Sequence, residues 1–285
     1  MEIHGWLTLH RSPRRCAQPI STARNGVFRR SASLARFADG GFFRFNYGIQ
    51  DGRYGVPFHE HHGEADHAEE EEGPVNLDWR RHNARISGAI NHPHRSIEKL
   101  ALNLDFSDWH HREIAGGIVG TEFFNRQYAY RATFNQRPAR GLMGSFGVNG
   151  LRRSYRVRGD EQITPNVTQT GVAAFGLEEL QVRRFRFQFG GRLESNRYSP
   201  AAGVKRTFTG FSGSAGLNAP LWENGVFVAS YSDSYRAPAI EELYNYGPHH
   251  GNLAFEIGDA NLRRERARGI EAGLRHRTAR VHAEA

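Results

Sequence analysis

A single cysteine, Cys16, in 285 residues leaves no partner for an intrachain disulfide and no thiolate set for a zinc finger. Lysine is nearly absent: Lys99 and Lys205 are the two in a chain with 38 basic residues. No stretch approaches ~18 consecutive apolar residues, which excludes a transmembrane helix. It does not exclude membrane-spanning strands, whose hydropathy signal per segment is weak. The N-terminal MEIHGWLTLHRSPRRCAQPIST lacks an apolar core of ~7–15 residues and a small-residue cleavage site, so it does not read as an export signal. Enzyme signatures are missing too: no Ser-His-Asp arrangement, no HExxH, no P-loop, and no glycine fingerprint between strand and helix. The carboxylates do not form the environment-separated pair that acid–base catalysis uses. The chain does not read as an enzyme, and no resident cofactor is required. No fixed-period repeat is visible, which disfavours solenoids and propellers.

What is present is polar, aromatic and glycine-rich at once. Hydrophobic residues make up 38%, aromatics 12%, and there are 32 glycines, with a mean hydropathy of −0.64. That balance suits many short strands joined by turns better than disorder or a thick two-sided core. The formal net charge is +8, but seven of the 30 acids fall within Glu60–Glu72, leaving the rest at 38 basic against 23 acidic residues. The arginines are scattered one or two per strand-like segment and are not gathered on a helix or patch. Nucleic acid is therefore not the expected partner.

Up to about Arg36 the chain shows no periodicity and reads as coil; residues 1–39 form an N-terminal segment, and 40–285 one β domain. From Gly40 a period of two recurs. Leu100, Leu102, Leu104 and Phe106 oppose Lys99, Asn103, Asp105 and Ser107. Phe185, Phe187, Phe189 and Leu193 oppose Arg184, Arg186, Gln188 and Arg192. Asn76–Asn91 opens with Leu77 and Trp79 on one face, against Asp78 and Arg80, and then shifts phase. Segments of ~8–12 alternating residues exceed the ~5–6 usual in soluble strands and match the ~9–11 of a tilted membrane-spanning strand. Links near 92–95, 135–138 and 218–225 are short. Those at 48–75, 152–166, 195–206 and 236–265 are long and polar. Short turns at one rim and long loops at the other are the pattern of an up-and-down transmembrane barrel. The expected fold is thus an all-β, antiparallel transmembrane β-barrel of about ten strands, partial, with long extracellular loops and short periplasmic turns. A soluble β-sandwich also alternates, but it would bury Leu100, Leu102, Leu104, Phe106, Phe185, Phe187 and Phe189 between two sheets.

One loop carries chemistry. His59, His61, His62 and His67, with Glu60, Glu64 and Asp66 between them, place four imidazoles in nine residues. Imidazole nitrogen and carboxylate oxygen are zinc's ligands where thiolate is absent. Several ligands without one geometry suit capture and release. Neutral imidazole is the binding form, so affinity is expected to collapse below pH ~6. Copper or nickel would take the same ligands, which leaves the metal open. The alternative is a solvated acidic loop with incidental histidines. A second, weaker pair is His249 and His250, of which one can point to a ligand in extended chain. His110–His111, at an expected strand end, reads more as rim surface than as ligand. Arg236 and Glu241/Glu242 are assigned structural roles.

Three stretches together resemble the C-terminal half of TonB-dependent outer-membrane receptors: Phe187–Glu194, FTGFSGSAG from Phe208 to Gly216, and Ser230 to Gly273. Tyr235-Arg-Ala-Pro-Ala-Ile-Glu-Glu-Leu-Tyr244 is similar to the family's "YRAP…EL" signature. Glu256-Ile-Gly-Asp-Ala-Asn-Leu262, with Glu265 and Gly269-Ile-Glu271, is similar to its "GNPNL…E…..E.G" signature. The likeness covers residues 40–285. Tyr54-Gly-Val-Pro57 and Gly247-Pro-His249 look like segments of the receptors proposed for zinc or similar metal uptake.

The resemblance implies import of a scarce ligand across the outer membrane, here zinc or another transition metal as the transported ion. The energy would come from the TonB coupling complex acting on an N-terminal plug. It implies outer-membrane lipid as surroundings. Within transport the alternative is a siderophore or haem receptor; outside it, a soluble all-β metal-binding module. Neither plug nor coupling box is legible, and Val281–Ala285 falls inside a strand-like run. The expectation is a fragment of a barrel.

Overall fold

The computed structural model describes residues 10–11, 26–55, 75–159, 162–249 and 254–285. Strands dominate: β1 (His10–Arg11), β2 (Gly26–Ala38), β3 (Gly41–Gly55), β4 (Val75–His94), β5 (Ile97–Ala115), β6 (Ile118–Gln136), β7 (Leu142–Gly159), β8 (Val167–Val182), β9 (Phe185–Pro200), β10 (Arg206–Trp222) and β11 (Gly225–Arg236) follow in order. One short helix, α1 (Ile240–Tyr244), and a ribbon of β12 (Tyr246–His249) with β13 (Ala254–Ile257) precede β14 (Glu265–Arg277) and β15 (His282–Glu284). Thirteen strands form one antiparallel sheet in sequence order, β1 through β11 and then β14 and β15. Each long strand pairs with its chain neighbour. Among the described residues the sheet is not closed: β2 meets only two residues of β1, and β14 only three of β15.

Among the described residues the long strands form one sheet with no second sheet packed on it, unlike a sandwich. Leu102, Leu104 and Phe189 are about half exposed, where a sandwich would bury them. Cross-strand pairs put Phe45, Ile86, Leu104 and Tyr130 in one row on one face. One residue along, Arg44, Ser87, Asn103 and Arg131 form a row on the other. Because side chains alternate with period two, this register fixes an apolar outer face and a polar inner face. The outer face is the one a bilayer would cover, in keeping with a barrel wall.

Connections at one rim are short: 39–40, 95–96, 137–141, 183–184 and 223–224. At the other rim they run 56–74, 160–166, 201–205 and 237–264, with Gly116-Gly117 the exception. Those two glycines have φ of 56° and 86°, the left-handed pair that a two-residue hairpin turn requires.

The strands are longer than their apolar runs. They carry 12–20 residues in the eleven long cases, whereas ~9–11 span a bilayer. The excess lies towards the long-loop rim, so four of the expected long links contract because the strands continue to Gly55, Gly159, Pro200 and Arg236. Outward ion pairs support these extensions: Arg80 Nε to Asp51 at 2.6 Å, Arg112 to Asp78 at 2.6 Å, Arg126 to Asp108 at 2.8 Å. Two other expectations need correction. Residues 26–36 are strand, not coil; Phe28 and Leu34 face outward while Val27 and Phe37 face inward, which hid the alternation. And β4 does not change phase between Asn76 and Asn91: its ladder is continuous there. Leu77 and Trp79 are inner residues near the rim; Ala84, Ile86 and Ile90 are outer residues lower down.

Candidate functional site

Of the metal-ligand candidates, His59, Glu60, His61, His62, Glu64, Asp66 and His67 lie outside the described residues, as does His250. His249 closes the ribbon, its backbone paired with Ala254. The feet of the acidic-histidine loop are defined: Gly55 and Asn76 pair at the ends of adjacent strands, on the long-loop rim. The 237–264 connection leaves from the same rim. Both connections therefore leave from one rim of the sheet, seven strands apart from β4 to β11.

The stretch after β11 is anchored rather than free. Arg236 donates to Glu265 at 2.7 Å and to Glu242 at 2.9 Å. Glu242 in turn accepts the Ala239 amide at 2.7 Å, which starts the five-residue helix. Tyr198 donates to the Pro238 carbonyl at 2.9 Å. Ile240 and Leu243, each 1% exposed, then pack into the inner face against Tyr155, Val157, Val167, Tyr198 and Phe208. Thr164 donates to the Asn245 side chain at 2.5 Å, and the Tyr246 amide to Ile163 O at 2.8 Å. Tyr235 lies over Gly210; a Cβ there would sit 2.2 Å from its ring, so only glycine leaves room. The Arg236 guanidinium, and behind it the Ala239 amide, hold the Glu242 carboxyl below its ordinary value. The structural roles expected of Arg236 and Glu242 hold, and Glu241 adds a contact to Arg153 at 3.7 Å.

On the other side of the rim, the inner wall has no cover among the described residues. Tyr54, Trp79, Arg81, Ser107, Trp109 and Gln127 line a concavity of about 570 Å³. Below it a second, of about 870 Å³, is walled by Arg44, Arg81, Arg85, Asn103 and Asp105. Arg85 pairs with Asp105 across β4 and β5, and Arg81 donates to Ser107 at 3.2 Å.

The pair His110–His111 lies within β5, not at its end, and strand alternation splits it. His110 faces outward, 3.1 Å from Glu122 and stacked on Phe124 with centroids 4.4 Å apart. His111 faces inward beside Trp109 and Phe123. Its side chain is 14% exposed, 3.9 Å from Glu113, and its Nε2 has no hydrogen-bond partner among the described residues. It pairs in register with Trp79, three residues in from the loop foot at Asn76. His111 is the inward imidazole that sequence reasoning set aside. Strand parity alone would have picked it, had the strand end been placed correctly.

Known proteins give the context. The family described as "TonB dependent receptor-like, beta-barrel" matches residues 17–285. Among solved structures, the Neisseria meningitidis FrpB iron transporter (F5-1 variant) superposes with a TM-score of 0.73 at 14% identity, covering 99% of this chain and 49% of its own. A double mutant of the Serratia marcescens hemophore receptor HasR, in complex with its hemophore HasA and heme, gives 0.72 at 15% identity over 88% and 42%. The copper transporter OprC gives 0.73 at 14% identity over 92% and 44%. The chain spans less than half the length of each of these structures. At such identities the likeness is one of fold.

Proposed function

This chain belongs to the TonB-dependent receptor β-barrel family, and we propose that it forms part of an outer-membrane receptor that captures and imports zinc or another transition metal ion. TonB, acting through a plug, would supply the energy. The acidic-histidine loop is the capture element and the inner wall beneath it the receiving surface. The supporting observation is placement: the loop's feet stand on β3 and β4, and the buried Nε2 of His111, without a hydrogen-bond partner among the described residues, faces inward on the adjacent β5, in register with Trp79 three residues from the foot at Asn76. Neutral imidazoles deliver metal from one to the next with little rearrangement, because each is a single neutral donor.

A second reading, a haem or siderophore receptor, draws on the two indoles and Tyr54 lining the upper concavity beside Arg81. Flat aromatic chelates with anionic groups suit such a wall. One experiment separates the two. Cells relying on the receptor that contains this chain are grown on limiting zinc, copper, or a haem or siderophore iron source, with His59, His61, His62 and His67 changed to Ala. Loss on one metal alone supports the first reading. Unchanged growth on every metal, with loss on the chelate after Trp79→Ala, refutes it.

A further inference from the structure

Among the described residues, ion pairs hold most of the charged belt on the outer face of β3 to β6, and none holds the three outward arginines of β7. Strand parity sends Arg152, Arg156 and Arg158 outward, because Tyr155 and Val157 between them are buried on the inner face. Arg152 stands opposite Tyr128, the last aromatic of the apolar band on β6; Arg156 stands opposite Phe124 and Arg158 opposite Glu122. The guanidinium carbons of Arg156 and Arg158 lie 5.5 and 5.6 Å from the Phe124 ring centroid. His110 stacks on the same ring and engages Glu122. Asp108, the other acid of the patch, is held by Arg126. Among the described residues none of the three β7 arginines has a carboxylate partner, and Arg156 Nε is buried with no hydrogen bond at all. Alternate residues of a strand stand ~6.7 Å apart, so Arg156 and Arg158 present two forks side by side. Arginine forks match phosphate oxygens bidentately, and a buried unbonded N–H is a donor waiting for an acceptor.

We propose that Arg152, Arg156 and Arg158, with Phe124 as their platform, form a binding site for the phosphate-bearing headgroup of a membrane lipid. The site sits where the apolar band ends and the strands leave the bilayer, the level at which headgroup phosphates lie. An aromatic row at that boundary fixes depth, and the arginines above it meet the anionic layer. The inference rests on the barrel reading only in needing this face to look onto lipid.

The test uses the full 285-residue chain reconstituted in lipid nanodiscs. Nanodiscs contain diphosphoryl lipid A or the same lipid stripped of phosphate, and retention of the lipid on the chain is read by native mass spectrometry. The variant is R152Q/R156Q/R158Q, and the charge-matched control is R29Q/R131Q/R186Q on the inner face. At about fivefold per arginine near a membrane surface, the outer triple variant should bind the phosphorylated lipid ~100-fold more weakly, with the control unchanged. Equal retention of both lipids, equal loss in both variants, or complete competition by millimolar inorganic phosphate would overturn the assignment. Protease protection of β7 in the nanodisc reports the barrel separately. An inserted chain with indifferent arginines sinks this site alone, whereas a chain that does not insert sinks the barrel reading and the site with it.

Discussion

Leu243→Ala should release the segment after β11 without loosening the wall that holds it. Leu243 is 1% exposed and sits with Ile240 among Tyr155, Val157, Val167, Tyr198 and Phe208. Truncating a fully buried leucine loses transfer free energy and leaves a cavity, together ~3 kcal/mol for a site that relaxes partly. The helix has only five residues, far below the ~12–15 at which an isolated helix is even marginal, so tertiary packing supplies nearly all its stability. Nearly all of the loss should therefore appear as local opening. At 1.4 kcal/mol per factor of ten, ~3 kcal/mol is roughly 150-fold in the opening constant. Hydrogen exchange followed by mass spectrometry reads that constant directly when closing is faster than exchange. The amides to watch are Leu243, Asn245 and Tyr246, which bond to Ala239, Glu241 and Ile163 carbonyls at 3.2, 3.1 and 2.8 Å. They should exchange about 150-fold faster, with β3 to β6 unchanged. Leu262→Ala, at a 37% exposed position in the same segment, should change them little. Equal acceleration in the segment and the strands would mean that the two open as one unit. No acceleration would mean that the apolar contacts do not anchor it. Either result refutes the reasoning.

Three further outcomes follow from the same wall and its returning segment. The Glu242 carboxyl titrates below its ordinary 4.5 because Arg236 and the Ala239 amide favour its charged form. Its contribution is then fully present above pH 4.5 and lost as pH falls through the lowered value, so exchange in residues 239–246 should rise in that acidic window and Glu242→Gln should flatten the rise. Gly210→Ala places a methyl 2.2 Å from the Tyr235 ring and should cost ~1–3 kcal/mol by overpacking. Adding Tyr235→Ala should recover at least ~1 kcal/mol relative to the sum of the single changes, read by urea unfolding in detergent. Leu104→Arg, on the outer face, should cost ~2–4 kcal/mol of insertion stability, while Asn103→Arg on the inner face should be tolerated. Heat-modifiable gel migration distinguishes the two, and equal effects would undo the assignment of faces.

The period-two runs made the strands, their faces and the rim order legible, because a bilayer demands alternation over ~9–11 residues and nothing else in the chain imitates it. Leu100 to Phe106 and Phe185 to Leu193 were read on the right strands and the right face. Strand ends were not legible, for a physical reason. Above the apolar band the outer face meets water and becomes Asp78, Arg80, His82 on β4 and Asp108, His110, Arg112 on β5, while aromatics such as Trp79, Trp109 and Phe123 move to the inner face. The pattern inverts along one unbroken strand, and read in sequence that inversion looks like a phase shift or the start of a loop. It hid the upper third of β4 and left His110–His111 at a false strand end. The Tyr235–Tyr244 motif was legible as a family mark, but its work, threading Ile240 and Leu243 into a pocket made by four other strands, depends on residues 80 or more positions away in Tyr155 and Val157.

That inversion also explains how the rim divides. From β7 to β10 the inner aromatics and aliphatics are covered by the returning segment, so their polar partners, Asn196, Thr164 and Asn245, are buried. Buried polar atoms without partners would be costly, and here Thr164 and Asn245 satisfy each other while Asn196 donates to Glu194 at 2.6 Å. From β3 to β6 the same kind of inner residue, Trp79 and Trp109 with Arg81 and Gln127 between them, has no described cover and remains a wall facing the lumen. An aromatic wall bearing hydrogen-bond donors is poor surface to leave to water and good surface for a ligand. Among the described residues this rim therefore shows closed packing over one half of the sheet and an uncovered aromatic face over the other, and β3 and β4, which carry the ends of the four-histidine connection, belong to the uncovered half.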